Sequence, residues 1–417
     1  MANNISVAYL NFLDKTFISA ITIEHEYLRL LSEYVLVSIV DVGPSERYIE
    51  KLNKIDYDYL FVDVKHFNCG PFILREKGEL SASFIIMLHS TFAWAETLVY
   101  ALPLIRKDDI VIAPSEYAKD SFLRIARKCK VEVIPHCLDI KSIQNGVLGL
   151  KNKSNRKVIS YMGCLVENKG LDVLIKCLPG IIKKCGEVNL NIVGPLSGAN
   201  MDNNPSPYYI KLKQLVNKLK LNRFVEFKGL QLGIDKYRIL AQSNVFVNPS
   251  LILSETFGMV NIEALACGVP IVCTKCDGFK GIIKNNKNGF FIDLDHDENN
   301  RPRINERQLS AFIVKILKDP DLNRRMKLRA LRDALRYDYR LIMPKLIRLL
   351  KKPKGKRTRG KWDLVKDKKI IDFPHFYKKE MLPFIRDLGW GNQTYAMVDK
   401  MKSWDKTYED LYRYLTR

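Results

Sequence analysis

Two carboxylates eight positions apart, Glu255 and Glu263, bracket the stretch of this sequence best equipped for chemistry. Residues 254–270 read SETFGMVNIEALACGVP and follow a short apolar run at 245–249, a strand entering a loop. Glu255 falls in that loop. Phe257, Gly258, Met259 and Val260 open a helix predicted to reach about Cys267, where Gly268 and Pro270 stop it. A helix start carries N–H groups without intrahelical acceptors and a partial positive charge, so it favours anions. Gly258 removes a side chain where a ligand would come close. Carboxylates beside an anion site suit a ligand with hydroxyls at its ends and negative charge in its middle, the shape of a nucleotide sugar. The other reading makes Glu255 a solvated loop residue or helix cap and Glu263 an exposed helix residue; spacing alone does not choose.

These groups need elements to hold them. Short apolar runs at 5–10, 34–41, 59–64, 84–88, 110–113 and 131–134 alternate with helical patterns such as 20–32 and 115–127, the latter with Ser115 as a cap. Such alternation predicts a parallel sheet covered on both faces, with ligands at the carboxyl ends of its strands. His89 follows the run 84–88 and is placed at such an end; a merely structural histidine is the competing reading. Residues 145–156 are polar and read as an interdomain linker. A second series follows, with strands at 157–162, 188–193, 224–227 and 245–247. Leu171, Leu174, Ile175, Leu178, Ile181 and Ile182 give one helix its apolar face. Lys169 before Gly170 stands at a strand-to-helix turn, as a phosphate contact or as one more surface lysine of a basic chain.

The length of 417 residues predicts two domains and an appendage, and 47% apolar content is ample for large cores. A formal charge of +22 points to an anionic partner: nucleic acid, acidic membrane or phosphorylated substrate. Nine cysteines spread along the chain do not form a secreted disulfide framework. With no signal-peptide pattern and no apolar run long enough to span a bilayer, the expected location is the cytoplasm, with a peripheral seat on the inner face of the cell membrane as an option. Cys273 and Cys276 form one C-x-x-C, read as a buried cysteine plus a loop cysteine because no second ligand pair follows. Asp293, Asp295 and Asp297 read as an exposed acidic loop, since Glu298 stands where a calcium loop needs glycine. No metal and no cofactor are expected, and the absence of a G-x-G-x-x-G leaves a dehydrogenase without support. Residues 351–369 hold ten Lys or Arg against two acidic residues, and an aromatic segment follows. An anionic membrane surface would suit them, as would a solvated linker or packing on the first domain.

The run ETFGMVNIEALACGVPIV at 255–272 resembles the E-x7-E signature of retaining GT-B glycosyltransferases of the glycosyl transferases group 1, or family 4, type. Residues 163–170, GCLVENKG, resemble that family's G-R-L-x3-K-G, with Cys164 in the arginine position. Pro114-Ser115-Glu116, Pro135-His136-Cys137 and Asn288-Gly289-Phe290 are similar to further family stretches, and 338–350 to its closing helix. Residues 11–20 lack the glycine pair the family often carries after its first strand. The resemblance implies an α/β GT-B fold: two doubly wound Rossmann-like domains facing a cleft, with a C-terminal helical extension here. The division is 1–150 for the acceptor domain, 151–335 for the nucleotide-sugar domain, 336–350 for a helix crossing back, and 351–417 for the basic and aromatic extension. It implies metal-independent, retaining hexosyl transfer (EC 2.4 type) from a UDP- or GDP-linked sugar to a glycan or lipid-linked acceptor, with no role for nucleic acid. Glu255 would bind the transferred sugar, His89 would approach it, and Lys169 would neutralise the diphosphate. Glu263 would bind the ribose, and Phe257 to Val260 with Gly163 and Cys164 would line the donor site. Two alternatives stand beside it. One is a weak or inactive GT-B scaffold that binds membrane or nucleic acid. The other is a sugar phosphorylase, for which no pyridoxal-phosphate lysine motif is present.

Overall fold

The computed structural model describes residues 5–12, 18–42, 48–63, 70–76, 78, 80–88, 104–125, 129–150, 156–198, 204–251, 255–298 and 302–350. His89 and the whole of 351–417 lie outside the described residues.

Two six-stranded parallel sheets organise the chain. The first is built from β1 (Ser6–Phe12), β2 (Leu36–Val42), β3 (Tyr59–Asp63), β4 (Ser83–Met87), β5 (Ile110–Ala113) and β6 (Val131–Val133), in the order β2-β1-β3-β4-β5-β6. The second contains β7 (Lys157–Met162), β8 (Val188–Val193), β9 (Val225–Gly229), β10 (Val245–Asn248), β11 (Ile271–Thr274) and β12 (Gly289–Ile292), in the order β12-β11-β10-β7-β8-β9. In each sheet the strand order reverses beside the first strand, so helices cover both faces and inner strands are buried along their length. Every residue of β4, β10 and β11 is buried accordingly.

The second sheet has a core on each face. Leu171, Leu174, Leu178 and Ile181 of the helix Leu171–Cys185 pack with Leu309, Ile313 and Ile316 of the helix Glu306–Lys318 on one of them. On the other, Ile262 and Leu265 of the helix Met259–Ala266 pack with Phe246, Phe279 and Ala330. The closing helix, Tyr339–Leu350, belongs to neither. Its Tyr339, Ile342, Met343, Leu346 and Ile347 join the core of the first sheet with Val7, Tyr9, Phe61, Ile85 and Met87. Hydrogen bonds secure both ends: Tyr339 donates its hydroxyl to Glu33 at 2.7 Å, and Tyr59 donates to the Leu350 carbonyl at 2.7 Å. Where the chain crosses back, Leu138 and Asp338 run as a parallel bridge, and Arg340 reaches Asp139 at 2.9 Å and Asp338 at 3.1 Å.

Three local expectations change. Residues 145–147 are the last turn of a helix, Ile140–Val147, whose Asp139 cap accepts from the Ser142 N–H, not the start of a linker. The acidic run enters a two-stranded ribbon, β13 (Leu294–His296) with β14 (Pro302–Ile304), and Asp297 pairs with Arg303 at 3.2 Å. Cys276 is buried beside Thr274 and the Ser250 carbonyl instead of standing in an open loop. Among the described residues, no three metal-ligating side chains converge, and no helix is long and apolar enough to cross a membrane.

Candidate active site

The second sheet reverses its strand order between β7 and β10, and the loops leaving those two strands meet at their carboxyl ends. Ligands in open parallel sheets bind at such a point. The β7 loop carries Gly163, Cys164 and a 3₁₀ turn, Glu167–Lys169; the β10 loop carries Glu255 and leads into Met259–Ala266. Close backbone contacts lock the two loops together. The Leu251 N–H donates to the Asn168 carbonyl at 2.8 Å. Gly170 has φ 66° and lies so near the Pro249 carbonyl that a Cβ would come within 2.4 Å of it. Lys169 is thereby presented to Glu255, and its Nζ lies 2.6 Å from Glu255 Oε2.

Gly258 caps the helix with φ 89°. Space for a side chain there is already taken by the Phe279 ring, 2.5 Å from where a Cβ would stand. The glycine therefore answers to backbone conformation and to Phe279, in addition to any ligand. Met259 and Val260 form the first turn. Phe257 precedes the helix and turns its ring inward, edge-on to His136 at 5.2 Å and to Tyr337 at 5.7 Å. With its side chain so engaged, Phe257 has its backbone to offer a ligand.

Glu263 is buried, which removes the reading of an exposed helix carboxylate. Its Oε1 lies 2.6 Å from Nζ of Lys236, a residue of the helix Gly233–Ala241 that sequence reasoning missed. A buried carboxylate requires a partner. The signal available was topological: Gly233–Ala241 leads into β10 and Met259–Ala266 follows it, so the two helices are neighbours on one face. Among the described residues the site thus holds two lysine–glutamate pairs, one with its carboxylate before the helix start and one with its carboxylate inside the helix. An ammonium has three N–H donors, so each lysine retains donors after holding one carboxylate oxygen.

Gly163 lies against the end of β8. Its N–H bonds the Val193 carbonyl at 3.0 Å, and Gly194 lies so close that a Cβ there would fall 2.0 Å from the Gly163 carbonyl. Cys164 is half-buried; burial pushes its thiol up, and nearby Lys169 opposes that in part. Cys276 is likewise pushed up, to about 11, by burial. Both thiols stay protonated at neutral pH, so neither is an activated nucleophile. What the geometry offers is electrostatic: cations and a helix start for a negatively charged group, and carboxylates for hydroxyls. His89, expected at the end of β4, lies outside the described residues.

Residues 149–332 match the family described as Glycosyl transferases group 1. The chain is 28% identical over 279 residues to the mannosylfructose-phosphate synthase of Agrobacterium fabrum, covering 60% of each protein. It is 26% identical to the D-inositol 3-phosphate glycosyltransferase of Corynebacterium jeikeium over 40% of this chain and 41% of that one. The chain thus spans less than two thirds of the length of these curated relatives. Among solved structures, Anabaena HepE in complex with UDP-glucose superimposes with a TM-score of 0.65 at 19% identity, over 83% of this chain and 99% of that one. Sucrose-phosphate synthase from Thermosynechococcus elongatus gives 0.64 at 17%, over 83% and 98%.

Proposed function

We propose that this protein moves a sugar from a nucleotide-sugar donor to an acceptor hydroxyl, with retention at the anomeric carbon, since residues 149–332 match the glycosyl transferases group 1 family and the chain has the GT-B fold. One observation carries the reading: the pairs Lys169–Glu255 and Lys236–Glu263 flank the start of Met259–Ala266 at the switch point of the second sheet. In this reading the donor diphosphate lies against that helix start and Lys169. Glu263 takes the ribose hydroxyls, and Glu255 those of the transferred sugar. As the anomeric C–O bond breaks, charge grows on the diphosphate, where fixed N–H groups and an ammonium stabilise it. No protein nucleophile and no metal take part. UDP is the favoured donor nucleotide, since HepE is described in complex with UDP-glucose.

A phosphorylated or lipid-linked acceptor fits the high positive charge. Relatives named for inositol 3-phosphate, mannosylfructose-phosphate and phosphatidylinositol lend it support. The decisive experiment is thermal unfolding with UDP, GDP, ADP and their sugar conjugates, on wild type and on Glu263→Ala. Stabilisation by one nucleotide that disappears in the variant is expected. No shift with any nucleotide would move the reading to an inactive scaffold, which Cys164 in the arginine position would then explain.

A further inference from the structure

The loop that carries Glu255 is held from three sides, and one of them belongs to the first sheet. From behind, Gly278 presses on it so closely that a Cβ would fall 2.1 Å from the Glu255 carbonyl. Met259–Ala266 continues it. From the first sheet, Ser115, at the end of β5, donates its hydroxyl to the Thr256 carbonyl at 2.7 Å. The same oxygen accepts from the Ala118 N–H at 3.1 Å and so caps the helix Glu116–Ile125. A hydroxyl has one donor, so this rotor is spoken for in both senses. Next to it, His136, which follows β6, lies edge-on to Phe257 at 5.2 Å and to Tyr27 at 6.4 Å. The two residues after Glu255 are therefore both gripped by the first-sheet domain.

We propose that Ser115 is a positioning residue for transfer: it clasps the Thr256 carbonyl, so that Glu255 and the helix start reach their working geometry when the first-sheet domain is seated against them. The inference rests on the proposed transferase reading. It deepens that reading by making turnover, more than nucleotide binding, depend on a residue outside the donor-binding sheet. Assembly of a site by domain seating separates the two, because the second-sheet residues proposed to hold the nucleotide do not include Ser115.

The chemistry of the hydroxyl supplies discriminating variants. Ser115→Asp keeps a helix-capping acceptor but has no donor for Thr256 when ionised. Ser115→Thr keeps donor and acceptor. Three readings are taken on the full chain: UDP affinity by calorimetry, UDP release from UDP-glucose, and ligand-free hydrogen exchange across 255–260. For Ser115→Asp, UDP affinity within twofold of wild type is expected, with UDP release reduced about tenfold or more and exchange across 255–260 faster. Ser115→Thr should restore both. Wild-type turnover in Ser115→Asp, or affinity and turnover falling together, would overturn the clasp. Failure of wild type to bind UDP would instead sink the donor reading, and unchanged exchange across 255–260 would still reject the clasp by itself.

Discussion

Lys236 Nζ lies 2.6 Å from Glu263 Oε1, and both side chains are largely shielded from water. The pair joins the helix before β10 to the helix after it, so it sets the distance between two elements as well as the charge of the site. Removing one member of a buried pair leaves the other charged and unpaired, which costs about 3–5 kcal/mol. Lys236→Met is therefore expected to lower the denaturation midpoint markedly in urea unfolding. Adding Glu263→Gln to it should recover part of the loss, because no charge is then stranded. Equal destabilisation by the single and the double variant would contradict the account.

Gly258→Ala tests the helix start without touching a charge. A left-handed backbone costs a non-glycine residue about 1–2 kcal/mol, and overpacking against Phe279 about as much again. Relieving the contact with Phe279→Leu in the same chain should return the packing share and leave the backbone share. Thermal unfolding of the two chains reads this directly. A neutral Gly258→Ala would mean that neither constraint operates.

Cys164→Arg puts a guanidinium where the family pattern has one. Charge-assisted hydrogen bonds to phosphate contribute about 1.5–3 kcal/mol each, so UDP affinity should rise about tenfold or more. Calorimetric titration measures it. An unchanged affinity would place residue 164 away from the diphosphate.

Asp333 predicts part of the acid limit of stability. Burial tends to raise its pKa, but hydrogen bonds from Arg329 at 2.9 Å and Lys284 at 3.0 Å outweigh it, and the carboxyl is held below its usual range. A depressed carboxyl contributes stability that is full above the unfolded value, near pH 4, and is lost as pH falls through the lower folded value. Asp333→Asn should lower stability at pH 7 and flatten its decline below pH 4. Urea midpoints from pH 7 to pH 2 would show it; parallel curves for both proteins would exclude the assignment.

Much of this architecture is legible in the residues. Strands of a covered parallel sheet are short apolar runs, so β5, β7 and β8 emerge with their observed limits. β11 and β12 carry Cys273 and Gly289 within their apolar runs, and apolar pattern alone does not mark them. In the site, Glu255 and Lys169 stand out because each neighbours a glycine-containing turn, and the structure pairs them with each other. Lys236 does not stand out, since 68 basic residues hide one half-buried lysine whose partner is 27 positions away. The packing role of Phe257 is hidden for a similar reason: His136 and Tyr337 come from distant parts of the chain. Local pattern reports what a residue is able to do, and tertiary neighbours decide which of those abilities is used.

The closing helix has a consequence for the life of the chain on the ribosome. Tyr339–Leu350 completes the core around Val7, Tyr9 and Ile85, yet it is made after every strand of the second sheet. Residues of the first sheet must therefore wait, with one apolar face uncovered, until the second sheet has been translated. A nascent chain stalled before Tyr339 should depend on holding chaperones, and one released with residues 339–350 outside the tunnel should not, a difference that chaperone crosslinking to stalled ribosomes would register.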